Sequence, residues 1–302
     1  MASKTSRHRI EIDGIVYRVQ VVRKVFEPPD APRLVMAAYH PNELTARITQ
    51  VAARSIHRYA GRPYELWIVD NASPRRHSRW LIDEPGVNVV FNPISPLRPL
   101  QSSPLRRAAS RFFKRRSQLT NISYANGIGF ELGAQLVDLE TQVLCALHSD
   151  VLACKSGWLD FLISKLDEEV RGAAVATHTS GLVAMSASCF LVDFSLYRPL
   201  RMHFLPNMPH WDAGELVTVR LNEAGYRWFV AENTFDSPEL IGRIPQNDPL
   251  HHLHADRSFD DEGNVFFMHL GRGATKATGR YHKPGKTTAD EWIAYAQEVV
   301  LA

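Results

Sequence analysis

Cysteine is scarce in this chain, and no two cysteines stand close together. The 302 residues include Cys145, Cys154 and Cys189, and they contain no Cys-x-x-Cys pair. An odd number at these spacings argues against a disulfide framework and against a zinc site built from thiolates. We therefore expect the protein to work in a reducing compartment, and we predict the cytoplasm.

A long apolar run is also missing. The N-terminal segment is positively charged but has no hydrophobic stretch, so it lacks the pattern of a secretory signal. Residues 172–192 carry no formal charge, but they contain His178 and small polar residues, and their apolar character falls into two short blocks. This pattern predicts two buried strands joined by a turn, not a transmembrane helix. Contact with a membrane surface, without crossing it, stays compatible with the sequence.

Excess charge is the third feature that the sequence lacks. The formal net charge is only +3 at pH 7, which does not by itself indicate a nucleic-acid partner, and we expect none. Hydrophobic residues make up 45% and charged residues 22%, as in ordinary globular proteins. The chain is long enough for one large α/β domain or for two small ones.

The N-terminal residues alternate between apolar and polar. In residues 9–25 this alternation surrounds Asp13-Gly14, a combination typical of a β-hairpin. A proline-rich segment follows, so we treat residues 1–30 as an N-terminal β-hairpin extension and residues 31–302 as the main domain.

The main domain starts with short apolar blocks that alternate with a helical pattern. Buried strands are predicted at 34–40, 66–69 and 87–91, and a helix that begins at Pro41-Asn42-Glu43 separates the first two. Strand, helix and strand at this spacing indicate parallel pairing through a right-handed crossover. We therefore predict an α/β fold with a Rossmann-like, mixed, mostly parallel sheet flanked by helices. Further elements are predicted at 157–169 (helix), 173–177 and 187–193 (strands), 216–224 (helix) and 227–230 (strand).

An apolar run at residues 141–151 stops on His148-Ser149-Asp150. In an open α/β sheet, ligands bind beyond the carboxyl ends of the strands, so Asp150 stands where a ligand is expected. A carboxylate there suits Mg²⁺ or Mn²⁺ carrying a diphosphate. By themselves, His148 and Asp150 favour a plainer interpretation, in which they end a strand and cap the next helix.

Two other segments stand out near this strand. Asn126-Gly127-Ile128-Gly129 is predicted to open a helix whose backbone N–H groups face a ligand, although close helix packing needs glycine just as often. Residues 93–118 form a predicted basic insertion that is also rich in proline and serine. Its basic residues are Arg98, Arg106, Arg107, Arg111, Lys114, Arg115 and Arg116. A solvated loop is expected there, and its charge suits an anionic acceptor, a lipid head group or a diphosphate.

The order of these features resembles the family-two glycosyltransferases, which have the GT-A fold. The resembling pieces follow the family order over roughly residues 33–230. They are Ala37-Ala38-Tyr39-His40, Val69-Asp70-Asn71-Ala72-Ser73, Asn126 to Gly129, His148-Ser149-Asp150 and Arg220-Leu221-Asn222-Glu223-Ala224-Gly225-Tyr226. The resemblance implies an enzyme that transfers a sugar from a nucleotide-diphosphate sugar, with a UDP-sugar favoured, to an acceptor hydroxyl.

The resemblance also implies a set of binding residues. The family carboxylate after the second strand binds the base or ribose of the nucleotide, which implies Asp70 here. The other positions implied in nucleotide-sugar binding are Ala38, Tyr39, Asn71, Asn126, Gly127, Ser149 and Arg272. The last carboxylate of the family Asp-x-Asp motif binds Mn²⁺ or Mg²⁺, which implies Asp150. His148 replaces the first Asp, either as a ligand or as the mark of a weaker site, and His269 resembles a C-terminal histidine that completes the metal site in many GT-A enzymes.

The catalytic base of the family is an acidic residue just before the Arg-Leu-x-x-Ala-Gly-Tyr helix. The usual Glu-Asp pair falls on Ala213-Gly214 here, and the chain offers Asp212 and Glu215 on either side. We take Asp212 as the first candidate and Glu215 as the reserve. The same residues also suit an N-cap and a capping box, and the two interpretations are compatible. Transfer by one displacement with a carboxylate base predicts inversion at the anomeric carbon.

Two other functions stay open. A nucleotidyltransferase shares the sheet order and a metal carboxylate, but it usually has a Gly-rich basic loop where this chain has Ala38-Tyr39-His40-Pro41. A non-catalytic nucleotide-sugar-binding protein is favoured by His148 in place of an aspartate. For an enzyme, the basic insertion fits an anionic or lipid-linked acceptor.

Overall fold

A computed structural model describes residues 3–96, 122–179, 182–281 and 283–302, apart from the side chains of Thr179, Leu250 and His252. Residues 97–118 of the predicted basic insertion therefore lie outside the described residues. In the described part of the chain, no helix has the length and apolar character needed to cross a membrane.

Strands and short helices alternate along the described chain. The strands are β1 (Lys4–Ile12), β2 (Ile15–Arg23), β3 (Arg33–Ala38), β4 (Glu65–Asn71), β5 (Val87–Asn92), β6 (Val143–His148), β7 (Val151–Ala153), β8 (Val170–Ala174), β9 (Thr177–Thr179), β10 (Val183–Met185), β11 (Cys189–Asp193), β12 (Arg227–Val230), β13 (Glu232–Asn233), β14 (Asp256–Phe259) and β15 (Val265–His269). The α-helices are α1 (Glu43–Tyr59), α2 (Arg75–Ser78), α3 (Trp80–Asp83), α4 (described over 122–136), α5 (Trp158–Ile163), α6 (Glu215–Glu223), α7 (Pro249–His252), α8 (Gly273–Ala277) and α9 (Ala289–Tyr295). The 3-10 helices are Phe194–Leu196 and Pro238–Arg243, and a π-helical turn, Ala296–Val300, follows α9.

The central sheet contains nine of the described strands, in the order β1-β2-β5-β4-β3-β6-β11-β8-β12. All of them run in the same direction except β2 and β11. The predicted mixed, mostly parallel α/β sheet is thereby confirmed. Because β3, β4, β5 and β6 are parallel neighbours, their carboxyl ends meet at one edge of the sheet.

The central strands are apolar along their whole length because both faces of the sheet are covered. In β3, Val35 and Ala37 belong to the core that contains α4, whereas Leu34, Met36 and Ala38 belong to the core that contains α1 and α5. Alternate residues of a strand point to opposite faces, so a strand buried on both sides reads as a continuous apolar run.

The N-terminal hairpin forms as predicted around Asp13-Gly14. Both turn residues have positive φ, 52° and 74°, as the tight hairpin turn requires. The hairpin also continues the central sheet, because β2 pairs with β5 through Gln20–Val22. One face of the hairpin is buried in the core on the α4 side.

The second described sheet, in the order β13-β14-β15-β7, receives the chain directly after β6. β6 ends at His148 and β7 begins at Val151, so the chain passes from one sheet to the other within two residues. The sequence did not predict β7 as a separate strand. A short apolar segment at the end of an apolar run carries no local signal of a change of sheet.

Three predictions of secondary structure were wrong. The two strands predicted within 172–192 are four, because the hairpin of β9 and β10 lies between β8 and β11. The helix predicted over 157–169 ends at Ile163, since a turn in which the Asp167 carboxylate accepts two backbone N–H groups precedes β8. Asn126 does not open a helix, because α4 is already helical at residue 122.

Candidate active site

His148, Asp150 and His269 come together where the chain passes between the two sheets. β6 ends at His148 in the middle of the central sheet, and β7 begins at Val151. His269, the last residue of β15, is the register partner of Val151. The backbone N–H of Leu270 donates to the carbonyl of Asp150 at 3.0 Å. Strand pairing therefore brings together the three predicted metal ligands.

The three side chains fit a divalent metal ion. They offer one ligand atom each, and these atoms all lie within 4.8 Å of one another. Asp150 Oδ1 is 3.4 Å from His269 Nε2, and that nitrogen is buried with no hydrogen-bond partner among the described residues. A buried nitrogen without a partner beside a carboxylate is the arrangement that a shared metal satisfies. Two imidazoles and one carboxylate suit Mn²⁺ better than Mg²⁺, which prefers oxygen ligands.

Two further residues orient these ligands. His269 Nδ1 lies 3.6 Å from Asp256 Oδ2, the kind of carboxylate contact that fixes a ligating histidine. The backbone N–H of Gly273 donates to Asp150 Oδ2 at 2.7 Å. A Cβ at Gly273 would lie 2.6 Å from the Cβ of Asp150, so only glycine fits there. Neither Gly273 nor Asp256 was among the predicted site residues. Gly273 could have been found from the pattern Gly271-Arg272-Gly273 after His269, whereas no local pattern marks Asp256.

The charges of the cluster are strongly coupled. Burial alone would raise the pKa of Asp150, but the charges of His269 and His148 and the N–H of Gly273 hold it well below its usual range. Burial lowers the pKa of His148 to about 4, and the positive charge of His269 acts in the same direction. Burial is the largest single cause for His269 and would lower its pKa, but the interactions with Asp150 and Asp256 together outweigh it and raise the pKa to about 10. Asp150 is therefore a carboxylate at neutral pH.

Asp70 lies at the same sheet edge, at the end of β4. It is the register partner of Ala38, while His148 is that of Ala37, so the two residues lie on the strands that flank β3. Because Ala37 and Ala38 point to opposite faces of the sheet, the side chains of His148 and Asp70 do as well. Burial raises the pKa of Asp70 to about 6, against the effect of hydrogen bonds from Ser73. A carboxyl with this pKa is ionised at neutral pH but at a cost in stability.

His40 is buried beside Asp70. Its Nδ1 is 3.8 Å from Asp70 Oδ1, and neither atom has a hydrogen-bond partner among the described residues. Its Nε2 lies 3.0 Å from Thr49 Oγ1. Burial lowers the pKa of His40 to about 4, so its imidazole is neutral and does not compensate the Asp70 charge.

The other residues predicted for nucleotide binding differ in exposure. Tyr39 is 49% exposed next to the buried Ala38, so its ring is open to solvent at the edge of the sheet. Asn71 is buried, and its Nδ2 donates to the carbonyl of Ala125 at 2.8 Å, which ties β4 to α4. Ser149 occupies the turn before Asp150.

The glycines of α4 allow close packing. A Cβ at Gly127 would lie 2.7 Å from the carbonyl oxygen of Phe204, and one at Gly129 would lie 2.6 Å from the Cβ of Ala37. These positions and Asn126 are inside the helix, not at its start, so the predicted presentation of free N–H groups to a ligand is wrong. The packing alternative is what the structure has.

Asp212 lies in the loop before α6. Its Oδ1 accepts from the hydroxyl of Ser123 and, at 2.6 Å, from the N–H of Ala213. Burial raises its pKa above the ordinary value. Glu215, the first residue of α6, is only 1% exposed and accepts from the N–H of Asp212 at 2.7 Å. The expected Asp212 N-cap is absent, because Gly214 takes that position, whereas the expected Glu215 contact is present.

The C-terminal part of the chain places cations beside the metal cluster. Arg272 is exposed, with its guanidinium 4.9 Å from the centre of the Tyr281 ring. Lys276 was not among the predicted site residues, and its Nζ donates to the carbonyl of Leu270 at 2.9 Å. Burial lowers the pKa of Lys276, and the charge of Asp150 opposes this, so the amine lies within electrostatic range of the cluster.

No protein-family model matches this sequence, and no curated protein matches it. Among solved structures, the mannosyltransferase PcManGT from Pyrobaculum calidifontis, in complex with GDP-Man and Mn²⁺, is similar over 67% of this chain and 56% of its own, with 13% identity and a TM-score of 0.44. The galactosyltransferase LgtC, in complex with donor and acceptor sugar analogues, is similar over 88% of this chain and 96% of its own, with 14% identity and a TM-score of 0.47. The apo glycosyltransferase GlyE from Streptococcus pneumoniae TIGR4 is similar over 88% of this chain and 60% of its own, with 12% identity and a TM-score of 0.45. Likeness at this level assigns no function, so the function must be argued from the site.

Proposed function

We propose that this chain is a glycosyltransferase that moves a sugar from a nucleotide-diphosphate sugar, with a UDP-sugar as first choice, to an acceptor hydroxyl. The observation that carries the proposal is the cluster of His148, Asp150 and His269 at the carboxyl edge of β6. Asp70 stands at the same edge, on the other side of β3. Since adjacent strands lie about 4.8 Å apart, the backbones of Asp70 and His148 are separated by roughly 10 Å, and their side chains point to opposite faces of the sheet.

Asp70 and Tyr39 would bind the nucleoside. A carboxylate accepts hydrogen bonds from a base N–H or from ribose hydroxyls, and an exposed aromatic ring provides a stacking surface. The unpartnered oxygen of Asp70 supports this role, because an ionised group in that environment is costly without a ligand.

His148, Asp150 and His269 would hold the metal. Mn²⁺ is preferred over Mg²⁺, because two of the three ligand atoms are imidazole nitrogens. When bound, a divalent metal neutralises the charge that develops on the departing diphosphate. Arg272 and Lys276 lie on the same side and add positive charge there. Metal preference can be measured without turnover, by Mn²⁺ electron paramagnetic resonance in competition with Mg²⁺.

Asp212 would accept the proton of the acceptor hydroxyl. Between the two predicted carboxylates, Glu215 is buried and bonded on both oxygens, whereas Asp212 is only partly buried. A carboxylate base on the face opposite the leaving diphosphate would give inversion. We assign the acceptor to the anionic or lipid-linked class from the charge of the basic insertion, and we place the reaction in the cytoplasm from the cysteine content.

The test is a turnover assay with Mn²⁺ and a panel of UDP- and GDP-sugars, with neutral, anionic and lipid-linked hydroxyl acceptors. Release of nucleoside diphosphate and glycosylated product is expected, with an inverted anomeric configuration. Binding without turnover under all conditions would indicate a non-catalytic binding protein. Release of pyrophosphate from a nucleoside triphosphate and a sugar phosphate would indicate a nucleotidyltransferase.

Matched variants identify the residues. Asp150→Asn should remove metal-dependent donor binding, and Asp212→Asn should keep donor affinity but lower the transfer rate by about 10²–10⁴-fold. Asp261→Asn is the control, because Asp261 is exposed and paired with Lys165 at the tip of the β14–β15 hairpin. Normal transfer by Asp212→Asn would remove that residue from the reaction.

A further inference from the structure

An ion pair between the buried Glu215 and the partly exposed His178 connects β9 with the start of α6. Glu215 Oε1 contacts the Nδ1 of His178, which lies in β9, while Glu215 Oε2 accepts from the backbone N–H of Asp212 at 2.7 Å. Glu215 is only 1% exposed. One buried carboxylate therefore fixes both an imidazole and the backbone of the loop that carries Asp212.

The elements around this pair hold both ends in place. β9 pairs with β10, and the N–H of Met185 in β10 donates to Thr218 Oγ1 of α6 at 3.0 Å. On the other side, the Asp212 carboxylate accepts from Ser123 of α4 and from the N–H of Ala213. The arrangement thus joins the β9–β10 hairpin, α4 and α6 around Asp212.

The charges in this cluster favour an imidazolium beside a carboxylate. The hydrogen bond to Glu215 is the largest cause of the raised pKa of His178; burial opposes it, and the negative charges of Glu215 and Asp212 add to it. Burial is the largest cause of the raised pKa of Asp212; the Ala213 N–H and the His178 charge lower that pKa, while the Glu215 charge raises it. His148, at the end of β6, is within electrostatic range of His178 as well.

We propose that Glu215 and His178 are positioning residues for Asp212, in which the buried Glu215 carboxylate holds the His178 imidazolium where its charge keeps Asp212 ionised. This rests on the proposed glycosyl transfer. In that reaction the acceptor proton passes to the Asp212 carboxylate and the acceptor oxygen bonds to the anomeric carbon. The bond from that carbon to the phosphate oxygen breaks, and its electron pair leaves with the diphosphate. Asp212 can take part only as a carboxylate, and Glu215 does not touch the substrate.

The first test is the pH profile of kcat/KM. Loss of the cation in His178→Gln should move the acidic limb of the profile upward by about one pH unit, the size of shift that a neighbouring charge produces. His178→Lys keeps a positive charge and should move the limb back towards that of the wild type. His210→Gln changes an exposed histidine of the Asp212 loop and should leave the profile unchanged. An unchanged acidic limb in His178→Gln would overturn the proposal.

The second test does not need turnover. The pKa of the His178 ring, followed by NMR, should be lower in Glu215→Gln and in Asp212→Asn than in the wild type. An equal pKa in Asp212→Asn would overturn the coupling even in an active enzyme. A wild type that turns over no donor would overturn the proposed function, whereas the lower His178 pKa would still support the coupling of the three side chains.

Discussion

Asp70→Asn should stabilise the free protein while it weakens nucleotide binding. The Asp70 carboxyl is 3% exposed, and burial raises its pKa from 3.8 to about 6. A shift of this size corresponds to about 3 kcal/mol between the charged and neutral forms, since one unit is about 1.4 kcal/mol. The asparagine removes the buried charge, keeps an acceptor oxygen and can donate towards the neutral His40 Nδ1.

The sign of the pH dependence follows from the direction of the shift. Because the folded protein holds the Asp70 proton more tightly than the unfolded chain does, stability falls as the pH rises from 3.8 to about 6. Above this pH window the buried Asp70 charge lowers the stability by its full amount, and below the window Asp70 is protonated in both states and does not lower it. The advantage of Asp70→Asn should therefore approach about 3 kcal/mol at pH 8 and be smaller at pH 5.

Urea unfolding of both proteins at pH 5 and pH 8 measures this difference, and calorimetry with UDP measures the loss of affinity. A variant that is less stable than the wild type at pH 8, or a stability difference that does not change with pH, would refute the reasoning. Unchanged UDP affinity would instead remove Asp70 from the nucleotide site.

Two other substitutions test packing at the two ends of the central strands. In Gly273→Ala the new Cβ would meet Asp150 at 2.6 Å, so Mn²⁺ affinity measured by calorimetry should fall about 10–100-fold, and an unchanged affinity would contradict the assigned role of Gly273. Glu65→Ala would remove a fully buried carboxylate at the opposite end of the strands, which pairs with Arg23 at 2.8 Å and lies 3.6 Å from the buried Arg33. It would also leave the buried Nε1 of Trp67 without its acceptor. Urea unfolding should show a loss of about 3–5 kcal/mol, and a loss below about 1 kcal/mol would contradict this role of Glu65.

The parts of the fold that local sequence determines were predictable. The Asp13-Gly14 hairpin and the strand Arg227–Val230 formed where their patterns indicated. The helix start at Asn42 did as well, since the Asn42 side chain caps α1 through a capping box with Thr45. Turn residues, caps and alternating apolar residues act over a few positions, so one sequence is enough to recognise them.

The parts that depend on distant contacts were not predictable. β7 forms by pairing with β15, more than a hundred residues later, and its own apolar residues look like a continuation of β6. His178 lies just after a predicted strand, with no local pattern that marks it as a site residue, and its partner Glu215 comes from a helix 37 residues further along. The glycines of α4 were predicted to open a helix towards a ligand, because the strand and the loop that they pack against are distant in sequence and give no local signal.

The proposed metal-dependent donor binding is tested most directly by calorimetric titration of UDP and GDP into the wild type, Asp150→Asn and Asp261→Asn, each with Mn²⁺, with Mg²⁺ and with a chelator. The site predicts binding of one of the two nucleotides that requires metal and is tighter with Mn²⁺ than with Mg²⁺. That binding should be at least about tenfold weaker in Asp150→Asn and unchanged in Asp261→Asn. Equal affinity in the presence of the chelator, or in a folded Asp150→Asn protein, would contradict the assignment of Asp150 as the residue that holds the metal on the diphosphate.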